Sequence, residues 1–257
     1  MNYMVNNNGI YNIHNNNIYI IGDIHGDYQC LIHCLIDLCK CCKINKIFDD
    51  KEFNTENREE LCWKKNNSSI IVFCGDMIHR KRFEDNILDD ECSDIYILKT
   101  IFRLKREAKK NGGDILIISG NHEIMNLINP EENLYTSKLN LEKNKEYFSD
   151  SKFINEYISN SYAWIKLNNI LVVHGGLCSE YLKYIDDNNL TDKDGDEIID
   201  YVNNKYHEYF KNINKKNLTD DNIGYNMFIN YDINNKKAHN MFWCREWGYN
   251  GIDCNEF

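Results

Sequence analysis

Residues 114–123 read Asp-Ile-Leu-Ile-Ile-Ser-Gly-Asn-His-Glu (DILIISGNHE). The run Asp114 to Ile118 carries no polar alternation after its first residue, the pattern of a strand buried on both faces. It delivers Gly120-Asn121-His122-Glu123, so a turn glycine, an amide, an imidazole and a carboxylate follow one another where the strand stops. Strand, tight turn and helix in succession form a natural mount for ligands at a strand's C-terminal end.

The same arrangement recurs three times. Asn17 to Ile21 (NIYII) runs into Gly22-Asp23-Ile24-His25-Gly26, Ser69 to Phe73 (SIIVF) into Gly75-Asp76, and Ile170 to Val173 into His174-Gly175-Gly176. Taken singly, each motif has a bland reading. A glycine beside a polar residue marks a turn, Asn121-His122-Glu123 suits a helix N-terminus, and a histidine after an apolar run is usually a satisfied core residue. Jointly they supply the aspartates, histidines and asparagine needed to hold two divalent metals beside a phosphate.

Asp23 and His25 would point apart in extended chain, so the turn glycines are needed to bring both onto one metal. Asp76 suits a bridge, because a carboxylate gives one oxygen to each of two cations. Asn121 offers a carbonyl oxygen and His174 an imidazole. Two metals ~3.5–4 Å apart would polarise a phosphate and hold a hydroxide for in-line attack on phosphorus. His122, beside a ligand but pointing elsewhere, suits a general acid for the leaving alkoxide. Arg80 and Arg245 suit a clamp on the phosphate, since a guanidinium matches two oxygens at once. Glu123 is expected to buttress its loop.

The remaining pattern fits one α/β domain over 1–257 with alternating strands and helices. Tyr28 to Cys42 and Ile95 to Ala108 carry helical periodicity, the second stopped by Gly112-Gly113. Tyr162 to Leu167 and Ile170 to Val173 flank Asn168-Asn169, as in a two-residue hairpin. Three stretches read as insertions. Residues 44–67 suggest a polar surface loop with one helical turn, and 83–92 an acidic aperiodic loop. Residues 179–237 suggest a specificity-determining or poorly ordered segment, with weak helical patterning near Ile198 to Phe210.

A net charge of −10 argues against a general nucleic-acid or membrane-surface binder. No apolar run is long enough for a membrane span, and Met1 to Asn8 is polar, unlike a signal peptide. Eleven cysteines without a secretory signal read as reduced thiols, which implies a cytoplasmic location. Cys39 and Cys42 form a C-x-x-C, but no second pair completes a zinc site.

Together these motifs resemble the calcineurin-like metallophosphoesterases of the phosphoprotein-phosphatase superfamily. Residues 111–126 (NGGDILIISGNHEIMN), 162–176 (YAWIKLNNILVVHGG) and 242–245 (FWCR) resemble in particular the Shewanella-like phosphatases. The resemblance implies a four-layer αββα sandwich with mixed sheets and metals at the strand ends. It implies Asp23, His25 and Asp76 on a first metal and Asp76, Asn121 and His174 on a second. It also implies His122 as general acid, with Arg80, Arg245 and Asn121 on the phosphate.

Two departures stand out. His79 occupies the position where the family carries an aspartate that orients the general-acid histidine. The family also places a further metal-ligating histidine after the Trp-x-Arg segment, and none follows Arg245. The expectation is that the C-terminal end of the family domain is missing here, with His207 and His239 as the substitutes to examine. The expected function is a dinuclear metal-dependent phosphomonoesterase using Mn, Fe or Zn, acting on phosphoprotein at phospho-Ser/Thr or phospho-Tyr. The alternatives are a catalytically impaired phosphate-binding scaffold and a hydrolase of small phosphoesters or dinucleotide polyphosphates.

Overall fold

The computed structural model describes residues 3–52, 55–80, 92–131, 136, 138–177, 190, 193–211, 213, 228, 231–232, 237–238 and 241–242. Four apolar runs become parallel strands in the order β3 (Ile18–Ile21), β6 (Ile70–Phe73), β7 (Asp114–Ile118) and β8 (Ser161–Tyr162). Every residue of β6 and β7 is buried, which is why their sequence shows no alternation. The second sheet has the order β1 (Tyr3–Asn7), β2 (Ile10–Ile13), β9 (Trp164–Leu167) and β10 (Ile170–Val173), with β2 and β9 parallel and the outer pairs antiparallel.

The two sheets pack face to face. Ile70, Val72, Leu116 and Ile118 on one meet Tyr11, Ile13, Ile165, Leu167 and Val172 on the other. The alternate residues Ile71, Phe73, Ile115 and Ile117 face a second core shared with the helices. That core includes Leu98, Ile101 and Phe102 of α2 (Asp94–Lys110), Phe148 of α4 (Lys138–Phe148) and Tyr157 of α5 (Ser151–Asn160). The result is the mixed α/β sandwich expected, with helices outside paired sheets. The sequence pattern set no expectation for α4 and α5.

Three stretches differ from expectation. The helix starting at Tyr28 ends at Leu38, running as α1 (Tyr28–Ile32) and then a π-helical turn over His33–Leu38. Lys40 adopts φ +55° and turns the chain, so Cys42 begins a strand instead of closing the helix. Residues 44–67 are no loop. Most of them form a long antiparallel hairpin of β4 (Cys42–Asp50) and β5 (Thr55–Trp63). Its strands are polar on both faces for most of their length, so no alternation betrayed them. What anchors the hairpin is local: Leu61 and Trp63 enter the core, and a buried ion pair joins Arg58 Nε to Asp50 Oδ2 at 3.3 Å.

Within 179–237, residues 195–211 form helix α6 (Gly195–Lys211), an ordered part of the core. Val202, Tyr206 and Phe210 are fully buried. Short pairs at β11 (Tyr231–Asp232) and β12 (Lys237–Ala238) follow. Most of the expected 83–92 loop and much of the remaining 179–237 stretch lie outside the described residues. No helix among the described residues is long and apolar enough to cross a membrane.

Asn203 fastens α6 to the second sheet. Its Oδ1 accepts from the backbone N–H of Ala163 (3.0 Å) and Trp164 (3.1 Å), and its Nδ2 donates to the carbonyls of Trp164 and Asn8, each at 2.9 Å. Replacing it leaves backbone groups without partners in a dry interior. Asn203→Leu is expected to lower the unfolding free energy by about 3 kcal/mol. Urea denaturation of both proteins checks this, and an unchanged midpoint would contradict it.

Candidate metal centre

The four motif loops meet at one end of the paired sheets. The loop after β3 is zipped to the loop after β6: the N–H groups of Ile24 (3.0 Å) and His25 (2.8 Å) both reach the Asp76 carbonyl, and that of Gly26 reaches Met77 at 2.8 Å. Helix α3 (Asn121–Ile128) starts at the end of β7, with Gly120 as its N-cap. The Glu123 carboxylate in its first turn accepts from the backbone N–H of Asp76 (2.9 Å), Met77 (2.7 Å), Ile78 (3.3 Å) and Gly120 (2.9 Å). Burial, and then the negative charge of Asp76, push the Glu123 carboxyl up to about 7. It joins two loops, as the buttressing role requires.

Backbone geometry at this end is unusual. His25, Asp76 and His79 hold positive φ values of +48°, +50° and +72°, a region that costs non-glycine residues free energy. Gly75 and Gly120 touch back to back: a Cβ on Gly75 (φ +95°) would lie 2.5 Å from Gly120 Cα, and a Cβ on Gly120 would strike Asp76 itself. Gly175 abuts the backbone of Met241 and Phe242, so the chain shortly before Arg245 runs beside His174-Gly175.

Two groups of metal-capable side chains lie here, and Asp76 belongs to both. One is His25, Asp76 and His122; the other is Asp23, Asp76 and His174. His25 Nε2 lies 3.8 Å from Asp76 Oδ2 and 3.5 Å from Asp23 Oδ2, while His174 Nε2 lies 3.5 Å from Asp76 Oδ1. Asp76 is thus buried with one oxygen turned to each imidazole, and Asp23 reaches both groups from the exposed side. Asn121 Oδ1 stands 2.9 Å from His174 Nε2. His122 Nε2 lies 3.8 Å from Asp76 Oδ2, inside the group with His25 rather than apart from it.

The donor set fits divalent metals. His174 Nδ1 donates to the Cys74 carbonyl at 2.7 Å and His25 Nδ1 to the Ile78 carbonyl at 3.2 Å. Each ring therefore turns a bare Nε2 lone pair inward, the tautomer that a metal ligand needs. At His174, Nε2 faces Asn121 Oδ1 at 2.9 Å and Asp76 Oδ1 at 3.5 Å, so ligand atoms of three residues converge. A cation satisfies such a cluster.

Arg80 is half-buried and its Nη1 donates to Asp27 Oδ2 at 2.6 Å. Asp27 also caps α1 by accepting from the Cys30 N–H at 2.8 Å, so the guanidinium is moored at the start of α1, while the Arg80 backbone lies against Gly26. Arg245 and His239 lie outside the described residues. His207 is not part of either metal-capable group; its Nε2 bonds the Ser161 carbonyl at 2.8 Å on α6. Cys39 and Cys42 are buried thiols, with burial raising Cys39 to about 12, and neither joins a metal-capable group among the described residues.

Sequence reading missed Asn126 and Asp94. Asn126 Nδ2 lies 2.5 Å from His79 Nε2, and His79 Nδ1 lies 2.8 Å from His122 Nδ1. Asp94 Oδ1 accepts from the His79 N–H at 3.1 Å. The spacing of Asn126 four residues after His122 was the available signal, because it puts both on one helix face. Asp94 offered none.

A calcineurin-like phosphoesterase family model matches residues 17–245. Shewanella-like protein phosphatase 2 of Arabidopsis thaliana is 34% identical over 107 residues, 42% of this chain and 20% of that protein. Shewanella-like protein phosphatase 1 of Plasmodium berghei (strain Anka) is 28% identical over 175 residues, 63% of this chain and 40% of the relative. The chain thus spans a fifth to two fifths of the length of these curated relatives. A solved cold-active protein-tyrosine phosphatase of a psychrophilic Shewanella species superposes with a TM-score of 0.56 at 18% identity, covering 95% of this chain and 62% of that one. That likeness establishes the shared sandwich fold.

Because a side chain at Gly120 would displace Asp76, Gly120→Ala is expected to lower metal affinity about 10- to 100-fold, the range seen when groups supporting a metal ligand are disturbed. Competition with a chromogenic chelator measures it, and wild-type affinity in the variant would contradict the packing argument.

Proposed function

This chain belongs to the calcineurin-like phosphoesterase family, and we propose that it is a dinuclear metal-dependent phosphomonoesterase acting on phosphoprotein, at phospho-Ser/Thr or phospho-Tyr. One observation carries the reading: Asp76 turns one carboxylate oxygen to His174 and the other to His25, so two groups of ligands share one buried residue. The names of the curated relatives support phosphoprotein as the substrate class.

In this proposal Asp23, His25 and Asp76 hold one divalent ion and Asp76, Asn121 and His174 the other, with Mn, Fe or Zn compatible with such mixed donors. When bound, the two ions would polarise the phosphate and acidify a water. The chain's own residues do the rest. Arg80, moored by Asp27, presents its remaining guanidinium donors to phosphate oxygens, with Arg245 and Asn121 as further phosphate contacts. His122 faces the leaving oxygen from the buried side of the pocket. Asp23 leaves the mouth of the site open to solvent, which a phosphorylated side chain on a large partner needs.

The test combines metal analysis with turnover. The purified chain is expected to hold about two divalent ions and to hydrolyse an aryl phosphate, a two-metal site being the premise. Asp76→Asn is expected to drop below one ion and to lose at least about 100-fold in rate, as loss of a shared ligand implies. Equal rates for the two proteins would overturn the proposal. A chain that binds phosphopeptide but holds no metal would point instead to a phosphate-binding scaffold.

A further inference from the structure

We propose that Asp27 is a positioning residue for phosphate binding, acting through Arg80. It holds the guanidinium in one orientation before the substrate arrives, and its effect falls on affinity more than on turnover. The proposal rests on the reading above, in which Arg80 receives the phosphate of an ester that this chain hydrolyses.

Asp27 stands where the loop after β3, helix α1 and Arg80 join. Its N–H donates to the Ile24 carbonyl at 3.1 Å, closing the turn that follows Asp23. Its Oδ1 accepts from the Cys30 N–H at 2.8 Å and caps α1, while its Oδ2 accepts from Arg80 Nη1 at 2.6 Å. The bond to the helix therefore fixes the oxygen that meets the guanidinium. α1 is itself a firm base: Tyr28 and Leu31 are 2% and 0% exposed, and the Tyr28 hydroxyl donates to the Glu59 carbonyl of the hairpin at 2.6 Å. Arg80 reaches this point through its backbone, since a Cβ on Gly26 would lie 3.1 Å from Arg80 Cβ and 3.2 Å from its N.

Four effects of this carboxylate weigh against one another. As a cap it needs no charge, because serine or asparagine would serve. As an ion pair it adds little stability, because the Arg80 and Asp27 side chains keep 22% and 23% of their surface in solvent. As a charge it opposes phosphate binding, by offsetting part of the attraction of the guanidinium for a dianion. As a tether it helps. An arginine side chain has several rotatable bonds that binding would otherwise have to freeze. Its guanidinium is a rigid planar fork, so fixing one nitrogen aims the whole plane. Only the last effect calls for a carboxylate at position 27, and its sign is opposite to that of the charge.

Contacts from Arg80 to phosphate oxygens outside the breaking bond are present in the bound ester and persist while that bond breaks. Ordering the arginine in advance lowers the cost of reaching both states alike, which is read in KM more than in kcat.

The experiment compares the full chain with Asp27→Asn, Arg80→Ala and the double variant, all loaded with the same divalent metal. Asparagine caps a helix as well as aspartate does, but its one oxygen cannot serve both the cap and the guanidinium. In Asp27→Asn, KM for an aryl phosphate is expected to rise about 3- to 10-fold, the cost of ordering one long side chain on binding. kcat is expected to fall by a smaller factor, and metal content to match the unaltered protein. In the Arg80→Ala background the same substitution is expected to raise KM no further. An unchanged or lowered KM in Asp27→Asn would mean that charge outweighs orientation, and would overturn the proposal. An equal rise in both backgrounds would also overturn it, because Asp27 would then act on its loop or on α1 and not through Arg80. Asp27→Ser keeps a cap but is too short to reach Arg80, and it is expected to match Asp27→Asn. A serine variant with the KM of the unaltered protein counts against the proposal equally.

Titration with inorganic phosphate separates this inference from the phosphatase reading. Phosphate affinity is expected to weaken by the same factor of about 3 to 10 in Asp27→Asn, again only while Arg80 is present. If the unaltered protein binds phosphate but hydrolyses no ester, the phosphatase reading fails and the titration still decides the role of Asp27. If it binds no phosphate, both fail.

Discussion

Everything at the site hangs on one buried carboxylate whose bonds go to the backbone. Glu123 collects backbone N–H groups from Asp76, Met77 and Ile78 after β6 and from Gly120 after β7. Those groups leave the ladder where the parallel strands end, and a loop buried without partners for them would be costly. One side chain satisfies them together and so locks the two loops into a single register. The positive φ of Asp76 is held in place by these bonds, and so is the aim of its carboxylate. Burial beside Asp76 pushes the Glu123 carboxyl to about 7. Asp76 itself is buried where ligand atoms of His25 and His174 face its two oxygens, with Asn121 Oδ1 beside His174, an electrostatic setting that a cation would relieve.

Close backbone approach is the second constraint, and it explains the glycines. Gly75 and Gly120 must touch so that Asp76 can sit against the start of α3 and accept from the His122 N–H at 3.0 Å. Any side chain there would push apart the loops that Glu123 draws together. The loop after β3 joins by main-chain bonds alone, to the carbonyls of Asp76 and Met77. Asp23 and His25 thus gain their positions from a loop that is itself held by the loop of Asp76.

These constraints also explain what the sequence could tell. β3, β6 and β7 were legible because strands buried on both faces are written in uninterrupted apolar residues, and each ended in a glycine motif whose spacing is local. The β4–β5 hairpin was not legible, because a ribbon polar on both faces has no alternation and is held by a few anchors such as Trp63 and the Arg58–Asp50 pair. Helix α6 lay between the two cases: its apolar stripe showed faintly, but its docking depends on Asn203, a polar residue whose partners at Asn8, Ala163 and Trp164 are about 40 or more positions away. At the site, residue types were legible while pairings were not. Nothing local told that Asp27 moors Arg80 or that Asp94 lies under His79.

The histidine at position 79 becomes intelligible in this setting. Asp94 is fully buried and already accepts from the His79 N–H and from Asn144 Nδ2 at 3.0 Å. A carboxylate at position 79 would add another buried negative charge next to Asp94, in a pocket whose floor holds Asp76 and Glu123. Burying like charges close together is among the more expensive arrangements in a protein interior. An imidazole there adds no such charge, and it sets its Nδ1 2.8 Å from His122 Nδ1 and its Nε2 against Asn126. Position 79 thereby keeps a side chain against His122 without enlarging the buried negative charge of Asp76, Glu123 and Asp94.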